Sequence, residues 1–140
     1  MAVTKFVLAV LIALTSWDVV TTYYGAVSVF VGFNTNVGAN LGSATPAQHI
    51  TAILIAITLI TIVLCYKIIL KNKNTITTSI LYVGFVIDFL TSLYGTASAT
   101  ISTVGEGAIL QWGLVIFLSI ASTAGPILIH QVLEGTGSEL

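Results

Sequence analysis

Two short segments of this chain share an order of acidic, hydroxyl, aromatic and small residues. Residues 18–25 read DVVTTYYG and residues 88–95 read DFLTSLYG. At an offset of 70 positions, five of the eight residues agree: the Asp, two hydroxyl residues, the second Tyr position and the Gly. Asp18 and Asp88 are the only aspartates in the chain. We interpret this match as an internal repeat rather than a coincidence in a threonine-rich sequence.

If both segments are helical, residues three, four and seven positions apart share one face. In each segment that face would carry one carboxylate, two hydroxyls and a glycine. We call these two faces the polar stripes; they comprise Asp18, Thr21, Thr22 and Gly25, and Asp88, Thr91, Ser92 and Gly95. Trp17, Tyr24 and Tyr94 flank the polar stripes.

Carboxylates and hydroxyls can relay protons or coordinate a dehydrated cation. Asp18 and Asp88 could therefore line a proton or cation pathway. The alternative is structural, with each carboxyl protonated or hydrogen-bonded to nearby hydroxyls so that it holds helices or subunits together. The sequence slightly favours the structural role, because a pathway usually needs more polar residues than the remaining apolar segments offer.

Small residues in membrane helices allow two helices to approach each other closely. Gly25 and Gly95 lie on the polar stripes, and Ala99 follows Gly95 by four positions. Ala121 and Gly125 form a similar small seam later in the chain. We predict that these five residues pack helices together.

The chain that must position these residues is strongly apolar. Of its 140 residues, 56% are hydrophobic and 6% are charged, whereas soluble domains carry roughly a quarter charged residues. Four apolar runs are each long enough to cross the roughly 30 Å hydrocarbon core of a bilayer. They are Phe6–Val31, Ile50–Leu70, Ile76–Ala99 and Ala108–Leu133.

We therefore predict an all-α integral membrane protein with four transmembrane helices. The repeat predicts two helical hairpins, about residues 1–70 and 71–140, that form one compact bundle and a single transmembrane domain. Because an even number of helices separates the two copies, the repeats would be parallel and related by an axis along the membrane normal.

Local signals mark two helix starts and one distortion. Residues 45–48 read TPAQ, a capping box with Pro at the first helical position. Residues 103–106 read TVGE and have the same capping spacing. Pro126 removes a backbone donor from the fourth helix, so a kink is expected there, with Ser122 or Thr123 bonding the freed carbonyls.

The lysines indicate an orientation. Lys5, Lys67, Lys71 and Lys73 are the only Lys or Arg residues, and four spans place all of them on one side. The positive-inside rule makes that side cytoplasmic. We predict a multi-pass protein of the cell (inner) membrane with both termini in the cytoplasm.

Both aspartates are predicted to lie at one depth near the centre of the bilayer. Asp18 follows Lys5 by 13 residues and Asp88 follows Lys73 by 15, which corresponds to about 20 Å of helix in each case. A carboxylate at this depth is costly unless it is paired, protonated or solvated. The polar stripes should therefore face protein or water.

Several function classes are disfavoured by composition. The net charge is −1 and Arg is absent, so we expect no nucleic-acid partner. The sequence has no nucleophile–base constellation, and we predict no catalytic residues and no enzymatic activity. His49 and His130 would lie on opposite sides of the membrane, so we expect no metal site and no cofactor.

Our leading functional prediction is a small non-enzymatic integral membrane subunit. It would self-assemble as a homo-oligomer, or join other subunits of a larger membrane complex, through the polar stripes of the first and third helices. The alternative is a proton or cation channel or transporter that uses the aspartate pair. A pigment- or haem-bearing subunit is the least favoured reading. The lipid bilayer is an expected partner in all three.

Overall fold

The computed structural model describes residues 2–32, 37–71, 74–101 and 108–137. These residues form six helices and contain no strand. The helices are α1 (Ala2–Val31), α2 (Val37–Ser43), α3 (Pro46–Leu64), α4 (Tyr66–Lys71), α5 (Thr75–Thr100) and α6 (Ala108–Gly137).

Four of the helices are long and apolar enough to span a membrane, which confirms the four predicted spans at this level. The candidate spans are Lys5–Val31, Pro46–Leu64, Thr75–Thr100 and Ile109–Ile129. Each covers a length comparable to the hydrocarbon core at 1.5 Å of rise per residue. Four such helices are typical of a multi-pass membrane protein.

The start of α3 follows the predicted capping box. Thr45 is the N-cap, and its hydroxyl accepts from the Gln48 backbone N–H at 3.3 Å. The Gln48 side chain in turn accepts from the Thr45 backbone N–H at 2.7 Å. Pro46 takes the first helical position, where its missing donor has no consequence. The second predicted box, residues 103–106, lies outside the described residues.

One local prediction is wrong. The second apolar run does not form one helix, because Cys65 adopts φ −84° and ψ 7° and separates α3 from α4. Its backbone N–H donates to Thr61 O at 2.9 Å and also bonds Val63 O, which tightens the end of α3. The segment between the first two spans contains the short helix α2.

Contacts between side chains fix the directions of the long helices. Tyr23 of α1 meets His49 of α3, and Phe30 meets Gln48, so these two helices are antiparallel. α6 is also antiparallel to α1, since Gly125 lies beside Thr15 while Ser122 bonds Asp18 further along. On α5, Asp88 lies near Asp18 and Ser92 lies near Thr21. The residue numbers thus rise together, so α5 runs in the same direction as α1.

The bundle has two distinguishable ends. At the lysine end lie Lys5, Lys67 and Lys71, and Lys67 forms an ion pair with Glu134 of α6. At the opposite end, which we call the loop end, residues 32–45 join α1 to α3. Lys73 lies outside the described residues.

Burial follows the same order in α1 and α5. Asp18 and Asp88 are both buried, and so are all residues of the segments 25–28 and 95–98. The offset of 70 found in the sequence therefore also relates the buried positions. Duplication of a hairpin, and the division into residues 1–70 and 71–140, stay predictions.

Candidate functional site: a buried carboxyl cluster

The site is built where α1 and α5 cross at backbone contact. A Cβ atom on Gly25 would lie 2.1 Å from the Thr91 carbonyl oxygen, and one on Gly95 would lie 1.8 Å from the Thr21 carbonyl oxygen. A shift of 70 residues turns each of these two contacts into the other. Only glycine permits this approach, and the approach brings the two polar stripes against each other.

The crossing buries both aspartates inside a single chain. Asp18 and Asp88 each have a relative exposure of 1%. Their carboxyl groups lie close enough to interact directly. The two carboxyls therefore meet between two helices of the same molecule.

Hydroxyls of the two polar stripes link α1 and α5. Thr22 Oγ1 of α1 donates to Asp88 Oδ1 of α5 at 3.1 Å. Ser92, which occupies the position equivalent to Thr22, has its Oγ 2.9 Å from Thr21 Oγ1 and lies near the Asp18 carboxyl. These contacts join the two helices next to the glycine crossing.

α6 completes the site on the side of Asp18. Ser122 Oγ donates to Asp18 Oδ1 at 3.1 Å, and Thr123 Oγ1 donates to the same oxygen at 3.4 Å. Ser122 Oγ also lies 3.4 Å from Ser92 Oγ, which in turn lies 2.9 Å from Thr21 Oγ1. We call the whole group the carboxyl cluster; it comprises Asp18, Asp88, Thr21, Thr22, Ser92, Ser122 and Thr123.

The hydrogen bonding of the two carboxyls is unequal. Asp18 Oδ1 receives donors from two residues of α6, whereas Asp88 Oδ2 is buried and meets no hydroxyl or amide donor among the described residues. The Trp17 indole N–H is likewise buried without an acceptor in that part of the chain. Buried polar groups are almost always hydrogen-bonded, so Asp88 Oδ2 requires either a proton shared with the adjacent Asp18 carboxyl or another partner that the described residues do not supply.

One of the four hydroxyl residues of the polar stripes, Thr91, lies outside the carboxyl cluster. The Thr91 hydroxyl donates to Ile87 O at 2.8 Å and to Asp88 O at 3.0 Å, both on its own helix. Thr91 is half-buried and lines a cavity of about 440 Å³ beside the α1–α5 crossing, which Tyr94 also lines.

The flanking aromatics are half-buried. Trp17, Tyr24 and Tyr94 lie at the edges of the bundle, and the Tyr24 ring packs at 5.6 Å from the Tyr23 ring. Tyr23 was not singled out by the sequence. Its hydroxyl forms a 2.8 Å hydrogen bond with His49 Nδ1 near the loop end. His49 is therefore engaged with α1.

The predicted packing residues divide into two groups. Gly25 and Gly95 form the crossing described above, and Gly125 packs against α1, where an added Cβ would lie 2.9 Å from Thr15 Oγ1. Ala121 is half-buried, and Ala99 is exposed.

Sequence reasoning missed the contribution of α6. Ser119, Ser122 and Thr123 are all buried, and the last two bond Asp18 rather than only the carbonyls near Pro126. Ser122 does also donate to Ser119 O at 3.2 Å. The signal that could have found them is spacing, since Ser119, Ser122 and Thr123 share one helix face.

The chemistry of the cluster is restricted to oxygen. Its members offer two carboxyls and five hydroxyls, and no group of three or more His, Cys, Asp or Glu residues occurs in the described part of the chain. Such a donor set suits a proton or a hard cation and lacks the nitrogen and sulfur ligands that transition metals favour. Comparison with protein-family models, curated proteins and solved structures finds no match to this chain.

Proposed function

We propose that this chain is a multi-pass membrane protein that moves protons or a small monovalent cation through the carboxyl cluster. The observation that carries the proposal is the pair of buried carboxyls, Asp18 and Asp88, which face each other within one chain while one carboxylate oxygen has no donor. The polar groups needed for exchange are present on α1, α5 and α6.

The charge of the two aspartate carboxyls supports this proposal. Hydroxyls are the donors to both carboxyls, and no Lys or His side chain bonds either of them among the described contacts. Two charged carboxylates without a positive partner are not stable in a lipid-embedded interior. A proton or a bound cation is therefore the source of neutrality, which makes the cluster a binding site for one.

The packing of the polar stripes also affects the prediction that the chain is an assembling subunit. The polar stripes pack against each other and against α6 inside the chain, so they are not open to a second copy. An assembling subunit would need another surface. Ala99 and Gly113 lie exposed on α5 and α6 and would allow close approach of a further helix, so homo-oligomerisation or membership of a larger membrane complex stays a second proposal.

Placement in the membrane is part of the proposal. We place the lysine end in the cytoplasm of a cell (inner) membrane, following the positive-inside rule, and the loop end on the opposite side. We also propose a non-enzymatic role. The pigment- or haem-bearing reading gains no supporting observation, since the His49 ring is engaged by Tyr23.

Reconstitution into liposomes tests the proposal. Purified protein would be inserted into vesicles containing a pH-sensitive dye, and flux would be driven by a pH, Na⁺ or K⁺ gradient in separate arms. We expect flux above empty vesicles in one arm and its loss in both Asp18→Asn and Asp88→Asn.

A matched pair of near-isosteric variants separates the site from general damage. Thr22→Val removes a donor to Asp88, whereas Thr91→Val removes a hydroxyl that bonds only its own helix. We expect the first to alter flux and the second to leave it unchanged. Absence of flux in every arm, or flux unaffected by either Asn variant, would show that the proposal is wrong.

A further inference from the structure

The two directions out of the carboxyl cluster differ in character. Toward the lysine end, the buried residues two turns before each aspartate are Leu11 and Leu81, with relative exposures of 7% and 2%. Val63 of α3 is fully buried toward the same end. The nearest hydroxyls there on α1, Thr15 and the exposed Ser16, donate to Leu11 O and Ile12 O of their own helix at 2.9 Å each. Apolar side chains therefore close this direction.

Toward the loop end, buried polar side chains lie beside a small apolar core that includes Val27. Ser28 and Ser98 are buried at equivalent positions of α1 and α5. Asn40 of α2 is 3% exposed and donates to Ser28 Oγ at 2.9 Å. Thr96, one turn beyond Ser92 on α5, has no exposed surface.

The Thr96 hydroxyl lacks the backbone hydrogen bond that several other threonines of the described helices make. In membrane helices a threonine hydroxyl usually donates to the carbonyl four residues earlier. Here that bond is made by Thr15, Thr51, Thr61, Thr91 and Thr100. Thr96 Oγ1 is buried without any hydrogen-bond partner in the described structure. A buried hydroxyl in this state is costly, so it requires a partner that the described residues do not supply.

A second orphaned atom lies at the same end. Gln111 Oε1 of α6 is buried without a donor from the described residues. Thr96 lies about 12 Å beyond Asp88 along α5, and Gln111 lies closer still to the loop end on α6. With Asp88 Oδ2, these atoms are three buried oxygens without partners on two adjacent helices.

We propose that water and the transported cation reach the carboxyl cluster from the loop end, along α5 and α6 past Gln111 and Thr96, while Leu11, Leu81 and Val63 close the lysine end. This inference rests on the proposed function, because it assigns the side from which that site is filled. Water at Thr96 and Gln111 would satisfy the two oxygens and connect them toward Ser92, which is already bonded into the cluster.

Thiol labelling from each side of the membrane tests the route. Cys65, the single native cysteine, would first be replaced by Ser. Thr96→Cys and Leu81→Cys would then be exposed to a membrane-impermeant methanethiosulfonate reagent in vesicles of known sidedness. We expect Thr96→Cys to be labelled from the loop side and not from the lysine side. Leu81→Cys, the matched position on the same helix, should be labelled from neither.

Labelling of Thr96→Cys from the lysine side, or from neither side, would overturn the inference. A flux measurement covers the case in which that variant does not fold. Thr96→Ser keeps the hydroxyl and should retain wild-type flux. Thr96→Val loses one hydrogen bond to water and should slow flux about tenfold. Equal flux in the two variants would contradict the route. Labelling does not depend on flux, so sided labelling without flux would refute the transport proposal alone.

Discussion

Replacing Gly95 by Ala should destabilise the protein by forcing α1 and α5 apart. The new Cβ would lie 1.8 Å from the Thr21 carbonyl oxygen, whereas ordinary van der Waals contact begins at 3.4 Å. The helices would have to separate by about 1.5 Å, and overpacking of this kind typically costs about 1–3 kcal/mol or more. Separation would also stretch the 2.9 Å contact between Thr21 and Ser92 and the 3.1 Å hydrogen bond from Thr22 to Asp88.

Helix propensity acts in the opposite direction and is smaller. Ala is favoured over Gly inside a helix by about 1 kcal/mol. Because the clash is with a backbone oxygen, the overpacking cost should lie at the upper end of its range, about 3 kcal/mol, so the expected net loss is about 2 kcal/mol. Gly25→Ala should behave alike, because its Cβ would lie 2.1 Å from the Thr91 carbonyl oxygen. Gly113 is the matched control, since nothing lies within 4 Å of an added Cβ there, and Gly113→Ala should be neutral or stabilising.

The assay is unfolding in mixed lipid–detergent micelles, with helix content followed by circular dichroism as denaturing detergent is increased. The Gly95→Ala midpoint should fall clearly below that of wild type, and the Gly113→Ala midpoint should not. If Gly95→Ala unfolds at the wild-type midpoint, the helices do not cross at backbone contact and the geometry of the carboxyl cluster is wrong.

Two further predictions concern hydroxyl groups and are checked by the same unfolding assay. Ser122→Ala removes the shorter of the two hydrogen bonds from α6 to Asp18 and should cost about 0.5–1.5 kcal/mol. Ser16→Ala, at an exposed hydroxyl bonded to its own helix, should change stability little, and equal effects would count against the cluster. Thr45→Ala removes the N-cap of α3 and should cost about 0.5–2 kcal/mol, whereas Thr51→Ala, one turn inside the helix and exposed, should not; a neutral Thr45→Ala would contradict the assigned cap.

Much of the scaffold could be predicted from the sequence because lipid imposes simple requirements. A span must be apolar over about 20 residues, since backbone groups in hydrocarbon have to be satisfied within the helix. The cap at Thr45 was equally predictable, because its hydroxyl and the Gln48 side chain satisfy local donors without reference to the rest of the fold. The break at Cys65 was not, since both sides of it are apolar and hydropathy carries no information about a turn.

The candidate site was predictable only in part. The repeat located both aspartates, and helical periodicity placed Thr22 and Ser92 beside them. The contribution of Ser122 depended on how α6 packs against α1, which is a tertiary property. A serine in an apolar helix bonds its own backbone in most settings, so its sequence neighbourhood gives no reason to assign it to Asp18.

The polar stripes illustrate the same limit. A stripe of small and polar residues predicts a helix–helix contact, and such a contact is present between α1 and α5. Periodicity does not state whether the partner helix belongs to the same chain. The self-assembly prediction assumed a second copy, whereas the glycines and hydroxyls of the two stripes face each other inside one molecule.

The most direct test of the transport proposal is cation flux through reconstituted Asp88→Asn compared with wild type. Asn preserves the size of the side chain and keeps an oxygen for Thr22, while its amide replaces the Oδ2 atom that has no donor. The variant should therefore fold with wild-type stability yet lose flux, because it can no longer bind and release a proton or cation. Wild-type flux in a folded Asp88→Asn protein would contradict the account.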